Sequence, residues 1–308
     1  MGGVSTPRLA AAVAQAGGLG RVAGVMLPPD ALAAMLDAMP EHPAGAVGVN
    51  FLVPFLQGPE PVEAAASRCR VVEFFYGDPD RALVDLVHAG GALAFWQVGS
   101  IREARAAVAA GCDVVVVQGT EAGGHIRGES SLFPLLSAVL EEVDVPIVAA
   151  GGLATARDVA AALAAGAAAV RVGTRFVASE ESEAHPAYID ALLRAGSEDT
   201  VITETFSVMW PAAPHRVLRS CIEAAESHPE AVVGQMRLGE ETLQIPRFAV
   251  QTPTRDTTGK VGAMALYAGE SVAAVSSIVP AGDIVRELAE GAEALLAQAS
   301  RAAPGGPL

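Results

Sequence analysis

The sequence predicts an α/β fold: a TIM-type (β/α)8 barrel that lacks its first strand and carries a small helical lid. Three observations predict it. Seven short apolar runs are continuous rather than alternating, which means burial on both faces, as in a parallel sheet covered by helices. Alanine-rich helical stretches close on Ala-Gly, and an apolar run starts within a few residues. Seven such strands separated by helices fit a barrel better than an open sheet.

The elements follow in order. The chain opens on "MGGVSTPRLAAAVAQAGG", a strand-end loop and a helix, so the missing strand would precede Met1. Thr6-Pro7 sets a capping residue before a proline at the first helical position, and Ala16-Gly17 ends the helix. Strands are expected near 18–24, 46–52 and 70–76. Asp78-Pro79 marks another helix start, which closes at Ala89-Gly90 before a strand near 92–98. Ser100 and Glu103 have capping-box spacing, and the helix they open ends at Ala110-Gly111. Strands near 113–118 and 146–150 come next. Thr155 and Asp158 repeat the capping-box spacing, Ala165-Gly166 closes that helix, and the last strand lies near 169–174. After residue 176 the rhythm stops. "AYIDALLRAG", "HRVLRSCIEAAES" and "EAVVGQMRLGEE" read as helices with charged faces, residues 282–302 as a final amphipathic helix, and "RAAPGGPL" as a loose tail. The expected division is a barrel of residues 1–180 and 251–308 and a helical lid of residues 181–250.

Composition narrows the function. The 308 residues are 51% hydrophobic, enough for a sizeable core, and the net charge is −15. No basic cluster is present to neutralise phosphate backbones, so nucleic acid is excluded as a partner, and the acidity disfavours an anionic membrane surface. No apolar run is long enough to span a bilayer. The three cysteines, Cys69, Cys112 and Cys221, form no CxxC, which excludes a zinc site and makes a reducing, cytoplasmic setting the expectation.

Chemistry in a parallel barrel sits at the carboxyl ends of the strands. Two of these ends are bare of side chains: Gly151-Gly152 before a helix, and Gly173-Thr174. Glycines let amides approach an anion, and a helix N-terminus adds positive potential, so a phosphate-bearing ligand is expected there. The competing reading is a pair of close-packed turns. Gly18-Leu-Gly20-Arg-Val-Ala23 matches a dinucleotide pattern, but it follows a helix and enters a strand, the reverse of the required order. Of six histidines, only His125 lies on a strand-end loop beside a glycine pair, in "QGTEAGGHIR". An imidazole there is placed to exchange a proton with a ligand. Trp96 reads equally as core or as a ligand contact. "MWPAAPHR" is a candidate to line the substrate mouth from the helical lid, and Glu121 reads as a second polar group or, the preferred reading, as a solvated loop charge.

"QGTEAGGH", "AAGGLATARDVAAALAAGA" and "VRVGTRFVASEES", in that order, resemble the nitronate monooxygenases and, more loosely, the flavin-dependent enoyl-acyl-carrier-protein reductases. "MGGVSTPRLAAAVAQAGGLG", "VGVNF" and "YAGESVAAV" extend the resemblance over about residues 1–280. It implies an FMN barrel that oxidises alkyl nitronates with O2 to a carbonyl compound and nitrite. It further implies that Met1, Gly2, Asn50, Gln97, Gln118 and Gly123 lie at the flavin, with Gly151, Gly152, Arg171, Val172, Gly173 and Thr174 at its phosphate. His125 matches the catalytic histidine, as a base toward nitroalkanes or as a cation binding the nitronate. The chain departs from the family pattern at Gln97, where relatives carry Lys or Thr, and at Glu270, where they carry Gln. An NAD(P)H-dependent flavin reductase of an enoyl thioester or quinone is the second expectation, and a non-flavin phosphate-binding lyase or isomerase the third. A homodimer fits the sequence but is not fixed by it.

Overall fold

The structure, a computed structural model, describes residues 2–40, 45–238 and 241–302. The barrel portion runs α1 (Pro7–Gln15), β1 (Leu19–Ala23), α2 (Pro29–Asp37), β2 (Ala46–Leu52), α3 (Glu60–Ala66), β3 (Val71–Phe75), α4 (Arg81–Ala89), β4 (Leu93–Val98), α5 (Ile101–Ala110) and β5 (Val114–Gln118). It continues through the two-residue β6 (Gly124–His125), α6 (Leu132–Leu140), β7 (Ile147–Ala150), α7 (Ala156–Ala164), β8 (Ala169–Arg171) and the short α8 (Thr174–Val177). Strands β1-β2-β3-β4-β5-β7-β8 form one sheet in that order, every pair parallel, in a TIM-type arrangement. Among the described residues β1 and β8 are its edges. No helix among them is long and apolar enough to cross a membrane.

Period-two alternation sorts the strand residues. Val71, Phe95, Val116, Val148 and Ala150 point inward and pack together. Val72, Phe74, Trp96, Val115, Val117 and Ala149 point outward into the larger core under the helices. Trp96 therefore belongs to the helix-facing layer. Its ring lies 4.8 Å from that of Phe74 and its Nε1–H donates to the Gly77 carbonyl at 3.1 Å, so it is core and not a ligand contact.

Local signals act mostly as expected. Pro7 stands at the start of α1, and Gly17, Gly111 and Gly166 take left-handed φ values of 92°, 97° and 108° after their helices. After α4 the left-handed residue is Gly91, one position beyond the expected Gly90. Asp78 does not cap α4. Its carboxylate pairs with Arg127 at 2.6 Å, and Asp80 caps instead, accepting from the Ala82 amide at 2.8 Å. Two acids two residues apart offered the same signal, and a distant arginine decided between them.

The segment after α8 is less helical than its charge pattern suggested. It contains α9 (Pro186–Arg194), β9 (Thr200–Thr203), β10 (His215–Leu218), α10 (Arg219–Ser227), β11 (Val232–Leu238) and β12 (Glu241–Pro246). "AVVGQMRL" is thus a strand, paired antiparallel with β12 and with β13 (Thr257–Gly259). Tertiary pairing overrode a helix-like distribution of charge. The chain ends on α11 (Ala281–Ala302), whose Ile284, Leu288 and Ala292 pack against Val159 and Ala160 of α7. One further pairing positions the site. β10 lies between β9 and β6 in a small antiparallel sheet, with His215 opposite His125 and Arg216 opposite Gly124.

Candidate active site at the barrel mouth

The inward residues at the strand ends form one polar layer. Asn50 on β2 donates to Glu73 Oε1 at 2.8 Å, and Arg171 on β8 donates to the same oxygen at 2.6 Å. Arg171 also bonds to Gln97 Oε1, and Arg21 on β1 pairs with Glu73 Oε2. Glu73 is fully buried. Two guanidiniums thus face one carboxylate, leaving an excess positive charge inside the barrel. Burial pushes the Arg171 guanidinium down to about 10, and burial with the neighbouring Arg171 charge holds Arg21 well below its ordinary value. Asn50, Gln97 and Arg171 were expected at a ligand; Arg21 and Glu73 were not. The signal was a lone acid inside "VVEFF", where a two-sided apolar strand tolerates a charge only with buried partners.

Gln118 ends β5. Its Nε2 donates to the His125 carbonyl at 3.0 Å, while its Oε1 is buried with no partner. His125 is half-buried, with Nε2 sealed from solvent and unpaired. Burial first, and the nearby His215 second, lower its pKa to about 3, so the imidazole is neutral near pH 7. Aromatic rings surround it: Trp210 stacked at 4.0 Å between centroids, Tyr267 at 5.5 Å and Tyr76 edge-on at 6.1 Å. The segment 209–216 therefore reaches His125 through Trp210.

The glycines divide into two kinds. At Gly123 a Cβ would fall 2.4 Å from the Gly269 amide nitrogen, so this glycine lets two backbones meet and does not present an open face. Gly151 and Gly152 have left-handed φ values of 106° and 69°, and side chains there would crowd Gly119 O and the Glu121 side chain. They are close-packed turns as well as bare ones. Among the described residues the amides of Gly151, Gly152 and Gly173 meet no acceptor. The cap of α7 is complete nearby, Thr155 Oγ1 accepting from the Asp158 amide at 3.3 Å and the Asp158 carboxylate from the Thr155 amide at 2.8 Å. At Gly173 and Gly2 a Cβ would meet only open space.

The other expected residues do different work. The Thr174 hydroxyl accepts from the Gly269 amide at 3.0 Å, and the Val172 side chain packs into the layer between β8 and α11. The Arg171 guanidinium is committed to the barrel interior, so its backbone is what it offers to the rim. Glu121 is not a free loop charge, because its carboxylate accepts from the Leu132 amide at the start of α6 at 3.0 Å. Glu270 forms an ion pair with Arg216 at 2.8 Å. Met1 lies outside the described residues.

A family model described as "Nitronate monooxygenase" matches residues 1–69 and 61–291. Among curated relatives, "Nitronate monooxygenase npaC" of Metarhizium robertsii is 34% identical, the match covering 94% of this chain and 88% of that protein. The "(3aS,4S,5R,7aS)-5-hydroxy-7a-methyl-1-oxo-octahydro-1H-indene-4-carboxyl-CoA dehydrogenase" of Rhodococcus jostii is also 34% identical, but over 74% of this chain and 63% of its own length. The match thus spans less than two thirds of that relative. Among solved structures, FabK from Thermotoga maritima superposes with a TM-score of 0.79 at 31% identity, covering 98% of this chain and 93% of that one.

Proposed function

Because the chain belongs to the nitronate monooxygenase family, we propose that it is an FMN-dependent oxidoreductase converting alkyl nitronates and O2 to a carbonyl compound and nitrite, with His125 taking the proton of a neutral nitroalkane. The residues present suit FMN. Unpaired amides at Gly151, Gly152 and Gly173 suit an anionic phosphate. The orphaned Gln118 Oε1 suits a ring N–H donor. Bound there, FMN supplies an electron acceptor for the carbanion-like nitronate that O2 can reoxidise. The segment 181–250 acts as the lid, since β10 and the loop before it reach over the mouth.

One observation carries the role of His125: its Nε2 is buried, uncharged and unpartnered at the mouth. A protonated imidazole would be needed to attract a preformed nitronate anion, and burial opposes that form. A neutral imidazole accepts the α-proton instead. The negative charge that develops on the substrate then raises the basicity of His125. Trp210, Tyr76 and Tyr267 exclude water around the ring. A positioned base contributes roughly 10²–10⁴-fold. His125→Asn should therefore lose about that factor in nitrite release from a nitroalkane while keeping turnover of the preformed nitronate. Equal loss of both would reject the base role.

The likeness to FabK favours a second reading, an NAD(P)H-dependent flavin reductase of an enoyl thioester or quinone. Anaerobic bleaching of the bound flavin by NADH would select it over nitronate oxidation. A purified protein without flavin absorbance bands, and unable to take up FMN, would leave the non-flavin lyase or isomerase.

A further inference from the structure

The loop between β9 and β10 carries Trp210, and a second histidine holds that loop at both ends. His215 is fully buried. Its Nδ1–H donates to the Ala213 carbonyl at 2.9 Å, and its Nε2 accepts from the Phe206 amide at 3.3 Å. The neutral Nδ1–H tautomer satisfies both bonds. Between those anchors the backbone is strained, since Met209 and Ala212 adopt φ values of 77° and 53° without being glycine. The result turns the Trp210 indole inward. It stacks on His125 and meets Tyr76 and Phe55 edge-on at 4.7 and 4.9 Å.

This wall is apolar and offers no cation. Arg127, which lies 6.0 Å from the Tyr76 ring centre, is already paired with Glu103 and Asp78, each at 2.6 Å. The exposed, acidic Glu204 follows directly on β9 and begins the loop that carries Trp210. A carboxylate on the substrate would find aromatic faces and a like charge on this side.

We propose that Trp210 determines specificity and that His215 is its positioning residue, together forming the wall against which an uncharged alkyl or aryl substituent of the nitronate packs. The proposal rests on the nitronate reading and narrows its substrate class to apolar nitronates. The experiment measures nitrite release from butyl-1-nitronate and from propionate-3-nitronate, with kcat and KM separated, in the FMN-loaded protein. Wild type should favour the butyl compound in kcat/KM by about tenfold or more, the scale on which apolar pockets discriminate. Trp210→Ala should raise KM for the butyl compound by roughly tenfold and KM for the propionate compound by much less, so that the preference between the two shrinks. His215→Phe keeps the volume and loses both bonds. It should reproduce that KM effect and red-shift the Trp210 emission, obtained by subtracting the Trp210→Phe spectrum. His215→Gln, which can still accept from the Phe206 amide, should restore part of both.

An unchanged preference in Trp210→Ala overturns the specificity role. Unchanged emission and KM in His215→Phe overturn the positioning role. If wild type oxidises neither nitronate, the nitronate reading fails and the specificity claim falls with it. The emission shift alone then decides whether His215 positions Trp210.

Discussion

Glu73 occupies a strand position whose neighbours on the same face are valine and phenylalanine, and it is buried to 0% exposure between two arginines. Removing one member of a buried ion cluster strands the charge that remains, at a cost of about 3–5 kcal/mol. Glu73→Gln keeps the shape and removes the anion, leaving Arg21 and Arg171 facing each other. Urea denaturation should show a destabilisation of about that size, and a loss below 1 kcal/mol (the order of a surface change) would mean that the guanidiniums are compensated otherwise. The histidines add a pH dependence. His125 and His215 have folded-state pKa values lowered by burial, so they stay neutral while the unfolded chain takes up their protons. Stability is therefore full above the ordinary histidine pKa and falls as pH drops from there toward the folded-state value, about 3 for His125. The slope reaches about 1.4 kcal/mol per pH unit per histidine. His125→Asn should flatten that slope in a pH series of denaturation midpoints. Residue by residue, His125 was legible because a glycine pair isolates it at a strand end. Arg21, Glu73 and His215 were not: Glu73 meets Arg21 and Arg171, 52 and 98 positions away in the chain, and His215 lies opposite His125, 90 positions away, and only the strand register brings them together.

At the scale of elements, helix α7 ties local sequence to the candidate phosphate site. The Asp158 carboxylate accepts from the amides of Ala154 and Thr155 at 3.0 and 2.8 Å, fixing the chain just after the Gly151-Gly152 turn. Asp158→Ala should cost about 1 kcal/mol in thermal unfolding and weaken FMN binding by loosening that turn. Unchanged FMN affinity alongside the stability loss would separate the cap from the cradle. This cap was readable because both partners lie within one helical turn. The seven strands were readable for a similar reason, since two-sided burial writes a continuous apolar run. Strand β11 was not. Its residues Gln235, Met236 and Arg237 are placed by pairing with β12 and β13, and local composition carries no mark of a partner that follows later in the chain. The Gly123 contact with Gly269 is hidden in the same way, because nothing in "EAGGH" states which loop will press against it.

For the whole molecule, the parallel strands deliver their carboxyl ends to one rim, and the β6–β10 pairing brings the segment after α8 over that rim. The site is thus shared between early and late parts of the chain, and a ligand bound there should stabilise the fold as a unit. FMN at 100 times its dissociation constant should add about 2.7 kcal/mol to the stability of the native state, read as a rise in melting temperature. Gly173 allows a sharp test of where the phosphate sits. Its φ of −114° is open to any residue, and a Cβ there meets no atom within 4 Å, so Gly173→Glu should fold as well as wild type. A carboxylate in that place competes for the same unpaired amides and repels a phosphate dianion. The variant should keep the melting temperature of the ligand-free protein and lose the rise produced by FMN. Riboflavin, which lacks the phosphate, should give a smaller rise than FMN in wild type and a nearly equal one in the variant. If Gly173→Glu retains the full FMN response, the phosphate lies elsewhere, and the unpaired amides of Gly151, Gly152 and Gly173 are turns that water alone satisfies.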